Sequence, residues 1–171
     1  MMLVDAFRTR SVLEQDSRIG KIGIAGWSLG GTVALYSAWS PIIEILGTPF
    51  DAHLPFYPAA HIRPEIQTWS ESPIFILHGD ADDWTPVHLV QDLLPQLPNA
   101  TLHVYPGAHH SFDSEREFEW LPKAVRLKKR TARIDKNGNM SGELFLGIRL
   151  PLNERWQRRW VIRILRNRGA H

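Results

Sequence analysis

Three short blocks of this chain carry residue types that could make and break an ester bond. The first is Gly26-Trp27-Ser28-Leu29-Gly30-Gly31. A serine with a glycine two residues to either side suits a sharp strand-to-helix turn that presents the hydroxyl, because bulky side chains at the glycine positions would collide inside the turn. The second is Gly79-Asp80-Ala81-Asp82-Asp83-Trp84-Thr85-Pro86, where three carboxylates crowd together. The third is Tyr105-Pro106-Gly107-Ala108-His109-His110-Ser111-Phe112, with two adjacent histidines. A serine hydroxyl is a weak nucleophile until a base takes its proton and an acid orients that base. In folds with such an elbow the chain order is serine, acid, histidine, with the last two in loops after later strands. That order holds here.

Within the second block Asp82 is the preferred acid, placed shortly before the helix start at Pro86. Asp83 is its competitor or a solvated residue, and Asp80 is a candidate to cap or brace the turn. Within the third block His110 is preferred to His109, because it directly precedes the Ser111-Phe112 pair. Two structural alternatives stand beside this reading: a tight turn with a structural serine, and a polar loop with surface histidines. His109, His110 and Asp113 are also close enough in sequence to suggest a metal site. No H-E-x-x-H or comparable spacing supports one, so neither a metal nor another cofactor is expected. The chain has no cysteine, which excludes a disulfide scaffold and thiol catalysis.

These blocks need elements to position them. Leu3 to Leu13 reads as a helix, with Val4, Phe7 and Val12 as candidates for its buried side. Arg18 to Ile24 reads as a short buried strand leading into Ser28. Leu29 to Trp39 reads as a helix that Pro41 ends. Ala52 to Tyr57 and Ala100 to Tyr105 read as strands. Pro64 to Glu71 is polar, and helical or loop. Pro73 to Gly79 is nearly continuous in apolar character, as in a parallel strand covered on both faces. Pro86 to Leu97 has Val87, Val90, Leu93, Leu94 and Leu97 at helical spacing. Strands alternating with helices imply an α/β fold with a mostly parallel sheet. Residues 122–150 read as a long loop with a turn at Asp135-Lys136-Asn137-Gly138-Asn139. A calcium loop is rejected there, because the glycine is displaced and Leu146 stands where a bidentate Glu belongs. Asn139-Met140-Ser141 is a formal glycosylation sequon without supporting context. Asn153 to Arg168 reads as a helix with a Trp156, Trp160, Ile164 stripe that suits packing on a sheet.

At 171 residues the chain suits one domain with a real core. No apolar run approaches the ~20 residues of a membrane span. Met1 to Arg10 lacks the long apolar stretch of a signal peptide. These features point to a soluble protein and leave the compartment open, with the cytoplasm favoured. The net charge of +2 hides an asymmetry: residues 121–171 hold 14 Lys and Arg against 3 Asp and Glu, whereas residues 1–120 hold 6 against 15. A basic tail can serve a nucleic acid or an anionic membrane surface. The plainer reading is a solvated helix face with a loop, and no nucleic-acid partner is expected.

Taken together, the three blocks resemble the dienelactone hydrolase family of α/β-hydrolases. The resemblance spans roughly residues 5–115, with a family-like closing helix at 153–168. It implies that Ser28 stands at the nucleophile position, which is cysteine or serine in that family, and that Asp82 and His110 match its acid and base. Ser28 replaces the cysteine of the namesake enzymes, which points toward the serine-bearing relatives. Those enzymes also use a substrate-binding arginine four residues beyond the histidine. Here that position is Ser114, so a carboxylate-bearing substrate is not implied.

The family's nucleophile usually follows several strands, whereas about one helix and one strand precede Ser28. The expectation is therefore a partial α/β-hydrolase fold, a mostly parallel sheet with flanking helices and the early strands missing, as in the C-terminal part of a larger hydrolase or an N-terminally truncated product. The whole chain, 1–171, is read as one such domain. The expected activity is hydrolysis of small carboxylic esters through an acyl-serine, with the Leu29 backbone N–H as one oxyanion donor. The second donor would come from a loop before residue 1. Trp27 and Trp84 are candidates for walls of the acyl pocket, or for core. Truncation would leave a sheet edge or apolar face unpaired, so a homo-oligomer is left open. The rival reading is a catalytically inactive hydrolase-like fragment that binds or assembles, with the basic tail as its working surface. A peptidase of the same fold would use the same triad.

Overall fold

The computed structural model describes residues 2–115, 126–127, 132–136, 140–144 and 148–149. Its contacts divide the chain into two compact units, 1–61 with 67–129 and 62–66 with 130–171. The expected closing helix at 153–168, with Trp156, Trp160 and Ile164, lies outside the described residues, as does Asn139 of the sequon.

The first unit is built on a four-stranded sheet. Its strands are β1 (Gly23–Trp27), β2 (Ala52–Phe56), β4 (Ile74–Gly79) and β5 (Ala100–Tyr105), in the spatial order β1-β2-β4-β5. Every neighbouring pair is parallel. Register aligns the carboxyl ends: Trp27 opposite Phe56, Phe56 opposite Leu77, and Gly79 opposite Tyr105. The loops after β1, β4 and β5 therefore emerge along one rim, where open parallel sheets place their ligands. Helices α1 (Met2–Leu13), α2 (Leu29–Tyr36), α3 (Ser40–Leu46) and α4 (His88–Leu93) belong to the same unit. This is a partial α/β-hydrolase fold.

The core of the unit follows from the two periodicities. Ala34 and Leu35 of α2, Ile74 and Ile76 of β4, and Leu89, Val90 and Leu93 of α4 are almost wholly buried. A second cluster joins Phe7 of α1 to Ile22 and Phe50, with Leu3, Ala6, Ile19 and Ile24 packed around it. Phe7 and Phe50 meet edge to face with centroids 5.2 Å apart, a preferred geometry for aromatic quadrupoles.

Several expectations are corrected. Val12 is 68% exposed, not buried. Pro41 does not end a helix: α2 stops at Tyr36, and Pro41 sits in the first turn of α3, where a missing N–H costs nothing. The helix expected to reach Leu97 ends at Leu93. A 3₁₀ turn, Leu94–Gln96, follows, because Pro95 cannot donate to the preceding turn and its ring clashes there. The buried-strand reading of Arg18 to Ile24 is displaced onto β1, which stands at the end of the sheet among the described residues, with Gly23, Ala25 and Trp27 exposed. Phe75 in β4 is 45% exposed while Ile74 and Ile76 are buried. Within β4 Phe75 is thus the one exposed position, Leu77 being half-buried and the rest buried.

Within β2 a proline interrupts the ladder. The His53 N–H donates to the Pro73 carbonyl at 2.9 Å, and the Tyr57 N–H to the Leu77 carbonyl at 2.8 Å. Pro55, midway between them, has no N–H for the rung opposite Phe75.

The second unit contains a sheet in the order β3-β6-β7-β8. Its strands are β3 (Ile62–Pro64), β6 (Ala132–Ile134), β7 (Met140–Leu144) and β8 (Ile148–Arg149). β3 pairs with β6 in parallel, and β6-β7 and β7-β8 are antiparallel. The long loop expected over 122–150 is therefore wrong in its second half. Ile134 pairs with Met140, so β6 and β7 are antiparallel neighbours, and residues 137–139 of the turn expected from the sequence lie outside the described residues.

Candidate active site

The elbow is made by local sterics. β1 runs straight into α2 through Ser28, whose φ of 52° and ψ of −112° lie outside the usual regions for a side-chain-bearing residue. A Cβ on Gly26 would run into the Gly30 backbone, so the motif's first glycine is required by close approach. The Ser28 N–H donates to the Phe56 carbonyl at 3.0 Å, and Thr32 donates to the Ser28 carbonyl from its N–H at 2.9 Å and its hydroxyl at 3.1 Å. Three non-glycine residues among those described have positive φ: Ser28 at 52°, Tyr57 at 34° and Ser111 at 62°. Strain of this kind costs ~1–3 kcal/mol per residue and gathers where a site is held in shape. Ser28 ends the elbow, Tyr57 follows β2, and Ser111 follows His110.

The structure brings Ser28, His110 and Asp82 together. His110 Nε2 lies 2.9 Å from Ser28 Oγ, and His110 Nδ1 lies 2.8 Å from Asp82 Oδ2. An ionised carboxylate only accepts, so Nδ1 carries the hydrogen and Nε2 is left to accept from the serine hydroxyl. Asp82 is 4% exposed and fully engaged. Its Oδ1 accepts the N–H groups of Trp84 at 2.9 Å and Thr85 at 3.0 Å, and its Oδ2 accepts the Thr85 hydroxyl at 2.8 Å. Burial alone would raise the Asp82 carboxyl, but the hydrogen bonds from His110 and Thr85 outweigh it and hold the group below its ordinary range. Behind Asp82, His78 is wholly buried, with Nδ1 4.0 Å from Asp82 Oδ2. Burial pushes its imidazole down, so it stands neutral beside the carboxylate.

The competing residues have other surroundings. Asp80 Oδ1 accepts the Gly107 N–H at 2.6 Å and braces the acid loop against the histidine loop. Asp83 pairs with Arg126 at 3.0 Å on a partly exposed surface. His109 is exposed. Asp113 accepts the Trp27 indole N–H at 2.6 Å on Oδ2 and the Tyr57 hydroxyl at 2.8 Å on Oδ1. Burial first, and the Asp113 bond second, push the Tyr57 hydroxyl up to about 12. Among the described residues no group of three His, Asp or Glu side chains is disposed to hold a metal ion. Trp27 is 51% exposed beside Ser28 and stacks on Phe56 with centroids 5.1 Å apart. Leu29, the expected oxyanion donor, opens α2 with its side chain 51% exposed.

Sequence reasoning missed Thr85, Tyr57 and the part played by Asp113. Thr85 had a signal, a hydroxyl three residues past a buried Asp and just before a proline. Tyr57 had none, since its place depends on β2 lying between β1 and β4.

Solved structures share this architecture. Est1E from Butyrivibrio proteoclasticus is similar with a TM-score of 0.50 at 17% identity, over 66% of this chain and 62% of that one. The Pyrococcus furiosus esterase PF2001 is similar with a TM-score of 0.52 at 17% identity, over 64% of this chain and 53% of that one. Such identities establish the fold, and the chain spans between about half and two thirds of those proteins' lengths. No curated protein matches the chain. The sequence profile described as the dienelactone hydrolase family matches residues 2–133, most of the chain. With that match, a partial α/β-hydrolase fold and a serine, a histidine and an aspartate in contact at one rim of the sheet, the chain belongs to the dienelactone hydrolase family.

Proposed function

We propose that the protein hydrolyses small carboxylic esters through an acyl-serine, with Ser28 as nucleophile, His110 as general base and acid, and Asp82 as the group that orients and balances the imidazole. The observation that carries this reading is the unbroken line Asp82 Oδ2, His110 Nδ1 and Nε2, Ser28 Oγ, with steps of 2.8 and 2.9 Å. Membership of a hydrolase family supports the reaction class.

In the first half-reaction the Ser28 proton passes to His110 Nε2 as Oγ bonds to the ester carbonyl carbon. The carbonyl oxygen becomes an oxyanion facing the Leu29 N–H, one of the donors that a helix start leaves without an intrahelical partner. Collapse breaks the bond to the alkoxy oxygen, which leaves with the proton from His110. Water then repeats the sequence: His110 takes its proton, the hydroxide oxygen bonds to the acyl carbon, and Ser28 Oγ recovers the proton as the acid departs. Asp82 stays ionised throughout.

Turnover of p-nitrophenyl acetate or butyrate by the purified chain tests the proposal. Ser28→Ala is expected to remove at least ~10³-fold of kcat. A fluorophosphonate probe should add its mass to the peptide holding Ser28 in the parent chain and leave Ser28→Ala unlabelled. Turnover that survives Ser28→Ala would sink the serine mechanism. A folded chain with neither turnover nor labelling would favour the binding-module reading.

A further inference from the structure

Trp84 stands two residues past the candidate acid, and its indole lies against the imidazole of His110. The ring centroids are 5.0 Å apart and the planes are 27° from parallel, so the imidazole meets the face of the indole. The Trp84 backbone is tied on both sides. Its N–H donates to Asp82 Oδ1 at 2.9 Å, and its carbonyl accepts from the Leu127 N–H at 3.0 Å. Next to it Asp83 is paired with Arg126 at 3.0 Å, and Leu127 is itself buried. The Tyr57 ring also packs on the imidazole, 4.6 Å away and inclined at 61°. The residue carrying the indole is thus anchored to the acid it follows and to Leu127.

The face of an indole carries negative potential, and a cation lying over it is attracted, most strongly where water is excluded. The His110 ring is neutral while it accepts from Ser28. It becomes a cation when the proton moves from Ser28 Oγ to Nε2. The contact with Trp84 therefore strengthens along the reaction, and an interaction that grows toward the transition state raises kcat instead of tightening ground-state binding. We infer that Trp84 is a further positioning residue of this site, whose indole face stabilises His110 in its protonated form. The inference rests on the reading of Ser28, His110 and Asp82 given above.

The test compares Trp84→Phe, Trp84→Tyr and Trp84→Leu with the parent chain on p-nitrophenyl butyrate, with Ser28→Ala alongside. Trp84→Leu is expected to lower kcat roughly 3- to 30-fold with KM within about twofold, and the Phe and Tyr variants should fall between it and the parent. Side-chain volume falls in the same order, so the discriminating readout is the split between kcat and KM: a loss of packing alone would move KM as well. Should Trp84→Leu fail to fold, a lowered kcat with unchanged KM in the Phe and Tyr variants carries the same information. Parent-like kcat in Trp84→Leu, equal losses in the leucine and phenylalanine variants, or a loss confined to KM would each overturn the inference. If those results come with an inactive Ser28→Ala, the assignment of Trp84 fails and the serine mechanism stands. If the parent is inactive, or Ser28→Ala keeps its turnover, both fall together.

Discussion

Asp113 joins the two halves of the site. Its carboxylate takes one hydrogen bond from Trp27, the residue before Ser28, and one from Tyr57, while its own loop carries His110 three positions earlier. A hydrogen bond to a charged acceptor is worth ~1.5–3 kcal/mol net, enough to matter where the Ser28 to His110 distance must stay near 2.9 Å. Asp113→Ala is therefore expected to cut kcat roughly tenfold or more on p-nitrophenyl butyrate, since small misplacements at a reacting centre are costly. The same change should bring the Tyr57 hydroxyl below its value of about 12, because the Asp113 bond is the second cause of that rise after burial. Difference absorbance at 295 nm against Tyr57→Phe reads this directly, and an unchanged titration would show that burial alone accounts for it.

At the scale of elements, two histidines make the folded unit sensitive to acid. His53 in β2 and His78 in β4 are 2% and 0% exposed, and burial holds both imidazoles below their ordinary 6.5. As pH falls through 6.5 the unfolded chain binds protons that the folded chain refuses, so stability is complete above that value and declines below it. The slope can reach about 1.4 kcal/mol per pH unit for each histidine. Asp82 adds loss of the same sign further down, as pH falls below 3.8 toward its depressed folded value. The thermal midpoint should thus drop between pH 7 and 5, and His78→Gln should flatten the slope even where it lowers the midpoint itself. A slope identical to the parent's would remove His78 from the account. The elements were legible in the sequence where pattern and punctuation agreed: β2, β4, β5 and α1 follow from apolar spacing, and the three blocks fell at the carboxyl ends of strands, as their residue types required. Pro41 was misread and Pro95 passed over, because a proline ends one helix and opens another with equal ease, and only the backbone before it decides. The exposure of Phe75 was hidden because an apolar side chain reads the same whether covered or not. The neighbours of Asp82 were legible only in part, since Tyr57 reaches the site through sheet order that no local pattern encodes.

For the molecule as a whole, the carboxyl ends of four parallel strands carry the site. No helix among the described residues is long and apolar enough to cross a membrane. The missing rung at Pro55 divides the sheet into two banks. β1 and β2 carry Ser28 and Tyr57 on one side, and β4 and β5 carry Asp82 and His110 on the other. A sheet short of a cross-link yields along that line first, as cloth tears along a dropped stitch. Ser28 and His110 therefore sit on opposite lips of that seam, and the prediction is that the distance between them varies more than distances within either pair of strands. In native-state hydrogen exchange the amides of His53 and Tyr57, which span the seam, should lose protection before those of β5 that bond to β4. Pro55→Val, which restores a donor, should slow them. The bonds that stitch the lips together above the seam, from Asp113 to Trp27 and Tyr57, then act as a clasp on a compliant joint.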